Sequence, residues 1–272
     1  MSNRRPDPGR VAVPVAQRLH ARYAKHGRMR FASHRDFQRA LERALRRAGV
    51  PVAMSAGFSP HPRISYANSA PTGSASLAEY FEVALTRECD PAVVRDTVSE
   101  ALPEGFDLVE VVLAPDRELA SRLEASLWQI ELPQAPAPAV APAVAAFLAA
   151  QEVVVERLMK DDVRRMDARA AVLSLQVSDV SLLPASGPAA RLVLQVSATA
   201  DPACAILGAV VRHVTPAVRP DDLLTALRQE GGLDLKVPAR ITRVAQGPLA
   251  ADQRSILDPL AVSEEPQHQV DA

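Results

Sequence analysis

SHRDFQRALERALRRAGVP, residues 33–51, is the stretch from which the rest of the chain can be read. Phe37, Ala40, Leu41, Ala44, Leu45 and Ala48 recur at helical spacing and define one apolar face. Ser33 is placed as the N-cap with Asp36 three residues on, a capping-box variant, while Gly49 followed by Pro51 stops the helix. The opposite face is nearly all arginine. Arg35, Arg39, Arg43 and Arg46 or Arg47 recur every three or four residues and form one stripe, relieved only by Gln38 and Glu42.

Working outward, QRLHARYAK (17–25) alternates as a strand, with Leu19, Ala21 and Tyr23 on one face and Arg18, His20 and Arg22 on the other. Beyond the helix, GFSPHPR (57–63) reads as a stiff loop because its two prolines restrict themselves and the residues before them. ISYANSA (64–70) and EYFEVALT (79–86) read as a hairpin pair joined by PTGSAS. Asp90 caps a helix ended by Pro103 and Gly105, and FDLVEVVLA (106–114) gives a further strand. The resulting order, βαββαβ, predicts a ferredoxin-like antiparallel sheet with two helices on one face, over residues 17–115.

Residues 126–246 use similar parts with longer connections. SLWQIEL (126–132), EVVVERL (152–158), ARAAVLSLQVSD (168–179), ARLVLQVSAT (190–199) and KVPARITRVAQ (236–246) read as strands. PQAPAPAVAPA reads either as a linker or as the lead into a short helix, Asp201 and Pro202 open a helix through CAILGAVVRHV, and DDLLTALRQEG is another. The fold class expected is therefore α+β, with two ferredoxin-like domains in tandem and the second elaborated. Residues 1–16 and 247–272 lack sustained periodicity and are expected to be a disordered arm and tail.

Charge is segregated along the chain. Residues 1–65 hold 14 Lys and Arg against 3 Asp and Glu, a net of +11, which leaves 17 against 29, a net of −12, for the rest of a chain totalling 31 against 32. A bias toward Arg explains the scarcity of lysine, which occurs only at Lys25, Lys160 and Lys236, but not the clustering. Charge placed this way makes nucleic acid or an acidic partner surface a candidate, with intramolecular pairing against the acidic half as the plainer reading. The two cysteines, Cys89 and Cys204, fit a reducing cytoplasm and exclude a Cys-rich metal site. The most apolar run, residues 139–150, contains Pro142 and is well short of the ~20 residues a membrane-spanning helix needs. No secretory segment is read at the N-terminus, so the expected location is cytoplasmic.

KHGRMRFASHRD, the basic helix after it, and VPVAMSAGFSPHPRISYANSAPTGSASLAEYFEV together resemble the radical SAM-linked protein family, with a weaker match at RRMDAR (164–169). The family's domain has no settled function and occurs fused behind a radical SAM enzyme or as a separate chain. The resemblance implies a freestanding companion, with a radical SAM enzyme as a partner. The chain lacks the CxxxCxxC triad that holds the cluster of such enzymes, so it is not itself that catalyst.

The expected function is that of an accessory protein binding RNA, transfer or ribosomal, in support of modification or processing. The candidate surface comprises Arg28, Arg30, Ser33, Arg35, Arg39, Arg43 and Arg63, with Phe58 and Tyr66 as stacking partners for an unpaired base and Ser59 held in the proline-stiffened loop. His34 and His61 are included in that surface and are the candidates for general acid and base in a metal-independent endoribonuclease; a ferredoxin-like repeat with such histidines also resembles the CRISPR repeat-processing endoribonucleases. A third reading is a protein-interaction module that docks on the acidic surface of an enzyme. No spacing among His20, His26, His34 and His61 matches a metal-ligand pair, and neither a cofactor, a metal nor a DNA partner is expected. Ser65, Asn68 and Ser69 are placed to extend a polar pocket, and Asp167 and Arg169 to pair with each other or line a cleft between domains.

Overall fold

The structure, a computed structural model, describes residues 13–56, 58–159, 162–178 and 203–261. Its first half runs β1 (Gln17–Lys25), a 3-10 turn (Gly27–Phe31), α1 (His34–Arg47), β2 (Ile64–Ala67), β3 (Ala75–Leu85), α2 (Pro91–Ala101) and β4 (Phe106–Leu113). The strands lie in the order β4-β1-β3-β2, every neighbouring pair antiparallel. The expected caps form: the Ser33 hydroxyl accepts from Asp36 N, the Asp36 carboxylate accepts from Ser33 N at 2.9 Å, and Asp90 accepts from Ala92 N at 2.8 Å. Phe37, Leu41 and Leu45 of α1 and Val94 and Val98 of α2 pack on Leu19, Tyr23, Phe81 and Val83. Tyr23 and Phe37 stack with centroids 3.7 Å apart.

The second half runs β5 (Ala125–Leu132), α3 (Ala137–Ala149), a hairpin of β6 (Val154–Leu158) and β7 (Val163–Asp167), the one-turn α4 (Ala168–Ala171), β8 (Val172–Ser178), β9 (Ala205–Arg212), α5 (Pro220–Gly231) and β10 (Arg240–Gly247). Its main strands repeat the spatial pattern of the first half as β10-β5-β9-β8, all antiparallel. Val140, Val144 and Phe147 of α3 and Leu223 and Leu227 of α5 cover Trp128, Ile130, Leu132 and Leu207. The two helices approach so closely that a Cβ on Gly231 would stand 2.2 Å from Ala143 Cα. One pairing joins the halves: β10 runs parallel to the start of β3, with Thr242 opposite Ala75 and Arg243 opposite Ser76, so the strands form a single 8-stranded sheet.

Several expectations change. The helix expected through CAILGAVVRHV is strand β9, held between β5 and β8. Its AILGAVV run is apolar on both faces, and the β-branched Ile206, Val210 and Val211 suit a pleated, doubly flanked position better than a helix. The Pro/Ala segment is α3, with Pro136 at the N-cap and Pro138 in the first turn, where no intrahelical N–H is needed, while Pro142 lies inside the helix and supplies no N–H to it. The strand expected at 168–179 begins with the turn of α4. Residues 248–261, expected as tail, are folded: a Leu249–Ile256 bridge turns the segment on itself, and Leu260 is buried against Tyr80, Leu119 and Leu123. At the other end Ala16 N donates to Leu85 O at 2.9 Å. Residues 1–12, the 190–199 strand, the expected helix start at 201–202 and residues 262–272 lie outside the described residues.

The Arg18, His20 and Arg22 side of β1 is neutralised and covered, not an open basic face. Arg18 bonds Glu82 at 2.6 Å, fully buried His20 lies 3.3 Å from the same carboxylate, and Arg22 pairs with Glu110 at 2.8 Å. Among the described residues no helix is long and apolar enough to cross a membrane.

Candidate nucleic-acid interface

The arginine stripe forms as the helical spacing requires. Arg35, Arg39, Arg43, Arg46 and Arg47 are exposed along α1, and none lies within salt-bridge distance of a carboxylate among the described residues. Cationic guanidinium groups four residues apart repel one another, so an unpaired row is kept at some cost to helix stability. Arg28 extends the positive surface from the 3-10 turn before α1. Arg30 of the same turn is half-buried and lies 4.6 Å over the Phe31 ring, which is 60 % exposed. Arg63 is half-buried in the chain leading into β2, where its backbone N–H donates to Ala53 O and its carbonyl accepts from Ala84 N.

His34 occupies the first turn of α1, beside Ser33, and both its ring nitrogens are engaged. The Gln38 amide lies 2.9 Å from Nε2 and Ser69 Oγ lies 2.8 Å from Nδ1. An amide N–H donating to Nε2 leaves the proton on Nδ1, which then donates to Ser69. Burial lowers the imidazole pKa, which favours this neutral form. His61 is elsewhere, exposed near the tip of a loop whose arms pair through Ser55 N to His61 O and His61 N to Ser55 Oγ. No hydrogen bond or ring contact among the described residues brings the two histidines into one site.

The same loop displays Phe58, 84 % exposed, and Ser59. Tyr66 is not displayed in this way. Its ring meets His34 edge-on at 4.9 Å and packs around Phe37 and Phe81, and its hydroxyl is buried without a partner. The stacking pair expected from the sequence therefore divides: Phe58 is free, Tyr66 belongs to the core, and Phe31 is the exposed ring that the sequence reading passed over. Asp167 caps α4 through Arg169 N and Ala170 N, and the Arg169 guanidinium donates to Val172 O, so their side chains serve local backbone and do not pair.

A buried polar cluster on the helix side of the sheet also escaped the sequence reading. Lys25 Nζ donates to the carbonyls of Ala70 and Pro71 at 3.1 and 3.2 Å. Glu79 accepts from Ala70 N at 2.9 Å and lies 3.3 Å from Arg243, whose guanidinium donates to Asn68 O at 2.6 Å and sits 4.8 Å over the Trp128 ring. These contacts hold the Asn68–Pro71 loop to both halves, and Ser69 on that loop reaches His34. The loop also meets the second half at His213, whose Nδ1 donates to Leu123 O at 2.6 Å while Ser126 Oγ donates to Nε2 at 2.7 Å. Burial lowers the pKa of His213, and the Asn68 amide stands 3.0 Å from it.

The family model described as an uncharacterized protein conserved in bacteria (DUF2344) matches residues 18–220. The chain belongs to that family. No curated protein matches it. The DUF2344 span contains the arginine stripe, the 53–63 loop and His34, and it ends where α5 begins, so Arg243 and β10 lie beyond it.

Proposed function

We propose that this DUF2344 protein binds RNA through the outer face of α1 and acts as an accessory to RNA modification or processing. The observation that carries the reading is the row of exposed arginines with no carboxylate partner among the described residues, because the plainer explanation of the charge segregation required those arginines to pair with the acidic half. Ion pairs between the halves are made by other residues, Arg243 with Glu79 and Arg22 with Asp258. Phe31 and Phe58 supply exposed rings for unpaired bases, transfer or ribosomal RNA being the class with such bases. The resemblance to the radical SAM-linked family supports service to a radical SAM enzyme, and the repeated strand order of the two halves supports a pair of ferredoxin-like repeats fused through β3 and β10.

The test is fluorescence anisotropy with single-stranded and transfer RNA across a salt series, comparing the native chain with Arg35→Ala/Arg39→Ala/Arg43→Ala. Each arginine–phosphate contact contributes about 0.7 to the slope of log K against log salt for single strands, so the triple variant is expected to be shallower by about 2. Absence of binding at low salt rejects the reading. Salt-dependent capture of a protein partner without RNA would favour docking on an acidic enzyme surface.

A further inference from the structure

A cleft of about 300 Å³ opens on the helix side of the sheet where the halves meet, between the Asn68–Pro71 loop and residues 213–219, with Trp128 and Arg243 beneath. That is the small end of the range for ligand pockets. The charge under it does not balance. Lys25, Glu79 and Arg243 are 6 %, 1 % and 4 % exposed, and Glu79 is the one carboxylate among the described residues that acts on both cations. Backbone carbonyls of Asn68, Ala70 and Pro71 solvate the two cations without neutralising them, and Arg243 Nε has no partner among the described residues. Two buried cations over the single carboxylate of Glu79, which pairs with Arg243 at 3.3 Å, leave a costly excess of positive charge, and Arg243 is the member of the cluster that borders the cleft. Among the described residues no Asp or Glu lines that cleft, and a second cation, Arg219, stands exposed at its margin.

We propose that this cleft binds a small organic oxyanion, a free carboxylic acid or phosphate ester no larger than a mononucleotide, whose acid group supplies the counter-charge above Arg243. Asn68, Ser69 and Thr215 offer polar groups to the body of such a ligand, and Val214 and Val218 an apolar wall. His213 is wall and not base, since its Nδ1 proton goes to Leu123 O and its Nε2 already accepts from Ser126. The site does not depend on the RNA reading, because it uses none of the arginines of α1.

Trp128 is the only tryptophan of the chain, so its emission reports on this cleft directly. Sodium phosphate, succinate and AMP are titrated into the full-length protein at constant ionic strength. At least one is expected to give a saturable change in emission with a matching rise in the unfolding midpoint. Ala217→Phe, at an exposed position on the cleft wall, should weaken that affinity at least tenfold, and Arg219→Ala several-fold. Arg35→Ala/Arg39→Ala/Arg43→Ala should leave it unchanged while reducing RNA binding. No saturable change with any of the three probes overturns the proposal, as does a response that survives both cleft variants. Displacement of AMP by an oligoribonucleotide without terminal phosphates would overturn the assignment to a free small molecule.

Discussion

Replacing Glu79 by Gln tests the buried cluster most directly. The substitution preserves shape and leaves an oxygen to accept from Ala70 N, now at 2.9 Å, but it removes the carboxylate that pairs with buried Arg243 and acts electrostatically on buried Lys25. Breaking a buried ion pair by deleting one partner costs roughly 3–5 kcal/mol, because the remaining charge is left uncompensated. Here Arg243 cannot turn to solvent easily: it is held by Asn68 O and by the Trp128 ring. Glu79→Gln is therefore expected to lose about 3–5 kcal/mol, or roughly 6–20 °C of unfolding midpoint at ~2–4 °C per kcal/mol for a chain of this size. Urea unfolding followed by Trp128 emission measures it, with Glu110→Gln as a control. Glu110 pairs with Arg22 at 2.8 Å with its side chain 36 % exposed, so its removal should cost no more than about 1 kcal/mol. A loss below ~1 kcal/mol for Glu79→Gln, at unchanged m-value, would refute the view that the carboxylate holds both cations in place.

Stability should also fall on mild acidification. Burial lowers the pKa of His20, His34 and His213, whereas an unfolded imidazole titrates near 6.5, so below that pH the unfolded chain binds protons that the folded chain does not. The contribution is fully present above pH ~6.5 and is lost as pH falls toward the depressed folded values. Urea midpoints between pH 7.5 and 5.5 should show it, and His213→Gln should flatten the slope. Gly231→Ala should destabilise by more than about 1–3 kcal/mol in the same assay, since its new Cβ meets the Ala143 backbone and not a flexible side-chain end. Phe58→Ala should change stability by less than about 0.5 kcal/mol while weakening RNA binding in anisotropy; equal binding by the variant removes Phe58 from the proposed surface.

The first half was legible because its signals are local. Ser33 and Asp36, Asp90, and the glycine stop after α1 each fix an element boundary within a few residues of sequence, and α1's apolar spacing fixes which face is buried. The second half withholds such signals. AILGAVV is flanked by strands on both sides, so it shows no alternation to separate a buried strand from a buried helix, and Asp201 and Pro202 ahead of it imitate a helix start. The junction of the halves was invisible for a different reason: Arg243 meets Ser76 across 167 positions of sequence and pairs with Glu79 across a similar gap. A lysine at the end of one strand, a glutamate within another and an arginine on the last read separately as ordinary surface charges. Only the parallel contact of β10 with β3 turns them into one cluster, and with it into the base of a cleft.

That junction also bears on how an RNA would be met. Many proteins with a four-stranded antiparallel sheet read single-stranded RNA by stacking bases on aromatic side chains that project from the sheet face opposite the helices. In this chain that face is occupied over the first half. Tyr80, its aromatic residue on β3, is 2 % exposed beneath Leu119, Leu123 and Leu260, and the neighbouring Arg18 and Arg22 are paired with Glu82 and Glu110. The covering comes from the connection between the halves, which the sequence reading assigned to no element, and from the segment after β10, which it took for a disordered tail. With the sheet face closed, the row of exposed arginines on α1, extended by Arg28 of the turn before it, is a cationic surface that an RNA can reach without any segment moving. An RNA contact through the sheet face would first require Leu260 and its segment to lift away. Truncation after Gly247 should therefore expose Tyr80 and lower stability. If the truncated chain bound RNA more tightly than the intact one, recognition would run through the sheet and not through the arginines of α1.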